Sequence, residues 1–452
     1  MAAYRPATAP DIPDIARVFI ETRTRCLPYL NWEYDHAIMC EVFSPQLDHA
    51  SFWVAEDGQL IGFLAFDTYE IDHLYVLPEF HGRGIGKALL NIALDGTRGD
   101  VRLWAFQQNS QARAFYERSG FGIEFETDGS GNMEKTPDVR YVLKRALRLA
   151  AEAPNLHGFF SKDLEPVATI QPGQTVSFQC LDSNWGLEPY NGVDLNRSEH
   201  PDRQEGHALT GPVAIAGAKP GMTLAIRIGE LLVGDWGTTF AGGWPCAWND
   251  RLGISGHGVG HVWSFDEAKA VATNQHGHSV TLRPFMGILG MPEDAEGQQS
   301  TVPPRRTGGN IDCRELVPGT TLYLPIEVDG GLFSTGDGHG LQGDGEVAIT
   351  AMEIPVESVD LTFELIEDLH LNLPVANTPA GWVAMAFSED LDEAMGLALE
   401  SMLALMKREF GLERLDALAL ASLCVSLRIT QVVNGVRGVH AILPHGSIAF
   451  PS

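Results

Sequence analysis

The sequence predicts a multidomain chain: an N-terminal α/β domain with a central mixed sheet, then a β-rich, sandwich-like domain that ends in helices. Three observations carry this. Up to about residue 146, helical and strand periodicities alternate. From about residue 155 the texture changes to short apolar runs separated by Pro-Gly, Gly-Gly and Asp-Gly turns. Near the C-terminus, Leu, Met and Ala return at helical spacing.

In the first part, residues 11–20 open a helix: a capping Asp11, Pro13 in the first turn, then apolar residues on one face. Residues 51–55 and 60–66 flank Glu56-Asp57-Gly58-Gln59 and read as a hairpin. Residues 70–76 form a further strand, which runs through Leu77-Pro78-Glu79-Phe80 into His81-Gly82-Arg83-Gly84-Ile85-Gly86 and a helix. Such a glycine loop lets backbone N–H groups converge at a helix N-terminus, where the dipole favours an anion such as a pyrophosphate. The spacing fits neither a Walker loop nor a Rossmann triplet. A strand at 101–106 and a helix through Asn109 to Ser119 follow, and residues 141–145 read as the last strand of the unit.

Residues 147–154 then read as a helical linker ended by Pro154. Beyond it, short strands precede Pro172-Gly173 and Lys219-Pro220-Gly221. Residues 389–410 and 412–427 are expected to form two helices packed on the sheets, with Met395, Met402 and Met406 as core fillers.

The formal net charge of −28 argues against nucleic-acid or anionic-membrane partners. Residues 1–148 hold 15 Lys and Arg against 21 Asp and Glu, so the excess lies mainly in the second part, where it favours cationic ligands or metals. Six scattered cysteines with no C-x-x-C pair read as reduced thiols. Residues 1–11 contain Pro6 and Pro10 and no apolar core, and no window reaches the length of a membrane span. The expectation is a soluble cytoplasmic protein.

The densest chemistry lies in Gly336-Asp337-Gly338-His339-Gly340-Leu341-Gln342-Gly343-Asp344-Gly345-Glu346, which holds three carboxylates and one imidazole among glycines. These are the ordinary materials of a divalent-metal site, and the apolar, strand-like residues 347–352 follow directly. In an extended segment, Asp337 and His339 face the same side.

Two resemblances sharpen the picture. The loop His81-Gly82-Arg83-Gly84-Ile85-Gly86, followed by Asn109, Ala112, Tyr116, Gly120 and Phe121 at Asn-x-x-Ala-x-x-x-Tyr-x-x-x-Gly-Phe spacing, closely resembles the GNAT superfamily of acetyl-CoA-dependent N-acetyltransferases over residues 3–145. His81 stands where that family usually has Gln or Arg. The resemblance implies that His81, Gly82, Arg83, Gly84, Ile85 and Gly86 hold the CoA pyrophosphate. It also implies that Leu74 and Val76 present backbone groups to the pantetheine and acetyl carbonyl, that Asn109 contacts the cofactor, and that Tyr116 protonates the leaving thiolate. For the general base, Glu70 and His73 are on the right strand.

Residues 155–452 resemble the acetamidase/formamidase family, metal-associated hydrolases of short aliphatic amides. The carriers include Gly206-His207-Ala208-Leu209-Thr210-Gly211-Pro212-Val213, Pro303-Pro304-Arg305-Arg306-Thr307-Gly308-Gly309-Asn310-Ile311-Asp312 and the glycine-rich segment above. Met222 after Pro220-Gly221 and Gly340 after His339 depart from the family's usual Asp and Ala. Amide hydrolysis needs a nucleophile and a stabilised oxyanion, and a divalent metal supplies both. The expected ligands are Asp337, His339 and Glu346, then Asp312 and His207, for zinc or calcium. Glu346 or Asp344 is the candidate general base, and Asn310 a candidate donor to the substrate carbonyl. His257 with His261, His276 with His278, Cys313, and Asp182-Ser183-Asn184 are weaker candidates.

The resulting expectation is a bifunctional fusion, with an acetyltransferase domain over 1–146 and a hydrolase domain over 155–452. Its substrates would be a small amine with acetyl-CoA and a small amide, and it would form a homo-oligomer. The alternatives are an amidase regulated by a non-catalytic acetyl-CoA sensor, or a non-hydrolytic metal-binding sandwich attached to an acetyltransferase.

Overall fold

A computed structural model describes residues 2–449 except 31–34, 48–49, 68, 98–99, 191–196 and 267. The chain divides into two compact units, Met1–Arg145 and Ala146–Ser452.

The first unit is built on strands β1 (Ala3–Pro6), β2 (Ser51–Glu56), β3 (Leu60–Phe66), β4 (Glu70–Val76), β5 (Val101–Phe106), β6 (Gly122–Thr127) and β7 (Asp138–Leu143) in the order β1-β2-β3-β4-β5-β7-β6. Each neighbouring pair is antiparallel except β4–β5. Helices α1 (Ile12–Cys26) and α2 (His36–Gln46) share a core with Phe52, Val54 and Phe63. Helices α3 (Ile85–Gly96) and α4 (Ser110–Arg118) belong to the other core, through Leu89, Leu90 and Tyr116 with Ile61, Leu64 and Tyr141. Two apolar faces on one sheet explain why β3 is buried along its whole length.

The register carries a feature that matters for the cleft. Parallel β4–β5 pairing is confined to Glu70 with Arg102 and Ile71 with Leu103. Beyond Ile71 the two strands are unpaired with each other, and on the β3 side Ala65 faces His73 while Phe66 faces Ile71, so Asp72 is an extra, bulged residue.

The second unit is built on two large sheets, with a two-stranded one, Phe159–Phe160 with Gln299–Ser300, besides. One is nine-stranded and includes Thr223–Val233 and Val356–Ile366; the other, twelve-stranded, includes Leu209–Ile215, Phe285–Gly290 and Phe333–His339. Their inward faces meet in a core containing Phe178, Ile226, Leu289, Phe333 and Phe363. Helices Leu391–Phe410 and Arg414–Cys424 share a core with the nine-stranded sheet, the first through Ala398, Met402 and Met406 and the second through Ala417 and Ala421.

Four expectations need correction. The 147–154 segment is no helical linker: Leu147–Leu149 is a strand of the second unit, paired with Thr175–Cys180, and Leu149 enters its core. Its helix-favouring Ala and Leu are overruled by an open sheet edge and an apolar pocket. Residues 347–352 are not a strand, because Glu346 and Ile349 have φ of 46° and 75° and turn the chain. The last helix stops at Cys424, and Leu427 lies in strand Ser426–Asn434. Met395 is 43% exposed, so only Met402 and Met406 fill core.

Candidate functional sites

In the second unit, Asp337 and His339 stand two apart on strand Phe333–His339, the middle of three hydrogen-bonded strands. Asp312 follows strand Gly308–Asn310, Glu346 lies on the loop after His339, and Glu353 starts the next short strand. All five are buried. Two triads share His339: Asp312–Asp337–His339 and His339–Glu346–Glu353, each with donor atoms within 4.8 Å of one another. Asp312, Asp337 and Glu346 have φ of 54°, 56° and 46°. Holding non-glycine residues there costs on the order of 1–2 kcal/mol each, so the rest of the fold must enforce it.

The hydrogen bonds show what the cluster is built for. Asn434 donates to Asp312 Oδ2, and the Ala351 N–H donates to Glu353 Oε1 at 2.9 Å. Gln342 donates its amide hydrogen to the Asp312 carbonyl at 2.8 Å, so its oxygen, 2.9 Å from His339 Nδ1, must accept. That places an imidazole hydrogen on Nδ1 and turns Nε2 inward, toward Asp337 and Glu353. Each group is thus braced on one atom and bare on the other: Asp312 Oδ1, His339 Nε2 and Glu353 Oε2, together with Glu346 Oε2, are buried without a hydrogen-bond partner. Gly287 completes the cradle. A Cβ there would stand 2.7 Å from Asp337 Oδ2 and 2.8 Å from both Asp312 Oδ1 and His339 Cε1.

The electrostatics agree. Burial, reinforced by neighbouring carboxylates, pushes Asp312 and Glu353 up to about 7 and Glu346 well above the usual range. Burial opposes charge on Asp337 too, but His339 beside it at 3.4 Å holds it below the ordinary carboxylate range. Four buried carboxylates around one imidazole make a site short of positive charge. Hard oxygen donors with one imidazole fit a divalent cation.

The cluster opens on a cavity of about 400 Å³ whose wall includes Asp337, Glu346, Glu353, His207, Asn310 and Asn434. His207 sits on this wall, bound to Thr301 Oγ1 at 2.8 Å, and outside the two triads. Asp344 is misplaced as a base: it stands 3.7 Å from Arg428 and not on the cavity wall. Asn310 is present with the opposite polarity to that expected. Its Nδ2 donates to the Val302 carbonyl at 3.0 Å, leaving a buried, unpartnered Oδ1, an acceptor and not a donor. Ser183 and Asn184 border the cavity, whereas Asp182 is tied to Arg197. Cys313 is buried, which pushes its thiol up to about 12, unsuited to nucleophilic attack. His261, His276 and His278 adjoin one another but form no donor cluster among the described residues, and His257 is exposed. Sequence reasoning missed Glu353, Gln342 and Asn434. Only Gln342 lay within the segment singled out.

In the first unit, a cavity of about 740 Å³ opens where β4 and β5 part, and its wall includes Leu74, Asn109, Tyr116 and Phe106. Gly84 caps α3 with φ 82°, a conformation glycine adopts without strain, and Ile85 begins the helix with its amides turned toward the loop. His81 braces this loop. Its Nε2 lies 2.7 Å from the Val76 carbonyl and its Nδ1 3.0 Å from the Gln111 amide nitrogen, so both ring nitrogens are used within the protein. Arg83 lies over the Phe80 ring. Asn109 caps α4 by accepting from the Ala112 N–H at 3.1 Å, and Tyr116 is buried, which raises its hydroxyl above the ordinary value and keeps it protonated. Both base candidates have other partners. Glu70 is held by Arg140 at 3.1 Å. His73 packs against Phe19, Phe43 and Phe63, and burial lowers it to about 4.

Two unlike folds, each with its own polar cleft, define a two-domain enzyme. The chain belongs to the Acetamidase/Formamidase family, which residues 145–296 and 292–445 match, and it carries an Acetyltransferase (GNAT) domain, matched over residues 48–123. It is similar to a formamidase of Methylophilus methylotrophus, 27% identical over 265 residues, covering 47% of this chain and 64% of that relative. The chain spans between 64% and 68% of the length of the first three curated amidases it matches. The crystal structure of an acetamidase from Bacillus halodurans superposes with a TM-score of 0.57 at 28% identity, covering 66% of this chain and 97% of that one. The N-terminal unit resembles an uncharacterized N-acetyltransferase of Archaeoglobus fulgidus, 33% identical over 155 residues, or 28% of this chain and 97% of that relative.

Proposed function

We propose that the second unit hydrolyses a small amide to carboxylate and ammonia with a divalent metal held by Asp312, Asp337, His339 and Glu353. The observation that carries this is the set of inward-facing, unpartnered donor atoms on otherwise braced side chains. The metal supplies Lewis-acid polarisation of the carbonyl and acidifies water. Asn310 Oδ1 accepts a substrate N–H and so selects an amide over an ester. Glu346 lines the cavity and is the proton carrier: burial and then the neighbouring Asp312 raise its proton affinity. As the carboxylate, the form a bound cation would favour, it takes a proton from water as oxygen attacks the carbonyl carbon, then delivers it to nitrogen as the C–N bond breaks.

The first unit, in this reading, transfers acetyl from acetyl-CoA to an amine. The α3 N-terminus faces the pyrophosphate, the unpaired edge of β4 near Leu74 meets the thioester arm, and Tyr116 gives its proton to the leaving thiolate. Val76 contributes less than its position suggests, because its carbonyl is taken by His81.

The test is one preparation assayed for ammonia from formamide, acetamide and propionamide, with and without chelator, and for thiol release from acetyl-CoA with an amine panel. Chelator-sensitive ammonia release and amine-dependent thiol release are expected. Full hydrolysis after metal removal would overturn the metal-assisted mechanism.

A further inference from the structure

We propose that the substrate of the second unit is a primary amide whose acyl group carries an aromatic ring; this rests on the amide-hydrolysis reading above and names the substrate class of that site. Formamide and acetamide are among the smallest amides, whereas the cavity at the donor cluster measures about 400 Å³. That volume falls in the range of roughly 300–1,000 Å³ found for pockets that enclose drug-sized ligands. Away from its carboxylates the cavity is bounded by Tyr190, Phe240, Trp244 and Ile349. Three rings and one branched aliphatic chain offer a flat apolar ligand surface to bury.

This wall is braced within the protein. Phe240 lies on strand Trp236–Gly242. Its N–H donates to Thr350 Oγ1 at 2.9 Å, and its carbonyl accepts from the same hydroxyl at 3.0 Å. The Tyr190 ring meets the Phe240 ring edge-on, with centroids 4.9 Å apart. The Arg197 guanidinium lies over the Tyr190 ring at 4.1 Å and is anchored on buried Asp182, 2.9 Å from Oδ1. Rings held in this way have little freedom left to lose on binding. Among the described residues of the cavity wall there is no Lys or Arg, so an acyl group bearing a carboxylate finds no partner there.

Sheet order decides which end of the amide meets the rings. Strands Trp236–Gly242, Glu353–Ile354, Phe333–His339, Phe285–Gly290 and Gly308–Asn310 are neighbours in that order. Glu353, Asp337 and His339 come from the middle of the series, Phe240 from one end and Asn310 from the other. An amide is planar, with its nitrogen and its acyl carbon on opposite sides of the carbonyl. With the carbonyl at the cluster and an N–H on the free Asn310 Oδ1, the acyl group extends toward Phe240. The reaction consumes one water: its oxygen joins the carbonyl carbon, the C–N bond breaks, and nitrogen leaves with both water protons as ammonium. The other product is an aryl-substituted carboxylate.

The test uses the full chain with its metal and compares phenylacetamide with acetamide, hexanamide and acetanilide. We expect kcat/KM for phenylacetamide to exceed that for acetamide about 10-fold or more. In Phe240→Ala this ratio should fall about 10-fold, and in Phe240→Leu by less; a ratio does not depend on how much of a variant is folded. Calorimetric titration of phenylacetamide into chelator-treated protein reads binding apart from turnover, and Phe240→Ala should weaken it about 10-fold. Acetamide as the better substrate, or an unchanged ratio in Phe240→Ala, overturns the inference and leaves amide hydrolysis standing. So does hexanamide matching phenylacetamide, which would make any apolar chain suffice, or faster cleavage of acetanilide, which would put the ring on nitrogen. No hydrolysis of any amide in the panel overturns the amide-hydrolysis reading with it.

Discussion

His339 donates its Nδ1 hydrogen to Gln342 Oε1 at 2.9 Å, and Gln342 in turn donates to the carbonyl of Asp312 at 2.8 Å. One amide thereby ties the imidazole to the backbone of a neighbouring carboxylate and decides which nitrogen faces the cluster. Replacing Gln342 by Leu should lower metal affinity about 10–100-fold, as loss of such an orienting partner does, while the fold persists. Calorimetric titration of zinc and calcium into apo protein measures this, and unchanged affinity would remove Gln342 from the account.

Gly287→Ala places a methyl group against Asp337, Asp312 and His339 at once. Two of those contacts are to buried carboxylates with little room to shift. We expect a stability loss of about 1–3 kcal/mol and a metal content well below stoichiometric. Elemental analysis together with a urea melt separates the two effects.

Glu353 and Asp344 make a discriminating pair. Glu353 has one oxygen braced and one facing the cluster, whereas Asp344 faces Arg428. Glu353→Gln should reduce ammonia release from acetamide more than about 100-fold, beyond what an orienting group achieves. Asp344→Asn should stay within about threefold, since it loses one partly exposed ion pair. The reverse order of effects would return the active carboxylate to Asp344, which the sequence offers beside Glu346 as a candidate base.

The half-buried His73 predicts a pH dependence of stability. Its folded value of about 4 lies below the ordinary 6.5, because burial disfavours the charged ring. The neutral ring is the form that packs. Its contribution is complete above pH 6.5 and is lost as pH falls toward 4, by about 2–3 kcal/mol in all. Urea midpoints at pH 7.5 and 5.0 should therefore differ less in His73→Phe than in wild type.

Much of the fold was legible because it rests on local periodicity: alternating elements in the first unit, turn-punctuated strands in the second. The candidate site of the second unit was half legible. Asp337 and His339 share a face because a strand has period two, which spacing alone reveals. Glu353 and Asn434 reach the same point from a later strand and from the C-terminal strand Ser426–Asn434, and no local pattern marks such convergence. Asn310 was found, but the direction of its amide depends on the Val302 carbonyl, a fact of tertiary packing. Residues 147–149 were misread for a related reason. Their intrinsic preference is helical, and only the distant strand Thr175–Cys180 makes them extended.

That short strand also dictates how the protein can be dissected. Three residues separate the end of β7 at Leu143 from Leu147, so the last strand of one unit and the first strand of the other are nearly consecutive in sequence. A cut after Pro154 would leave the hydrolase without its edge strand and without Leu149 in its core. A cut between Arg145 and Ala146 spares both sheets. Either unit, expressed alone, keeps its strands intact only if the chain is divided at that peptide bond.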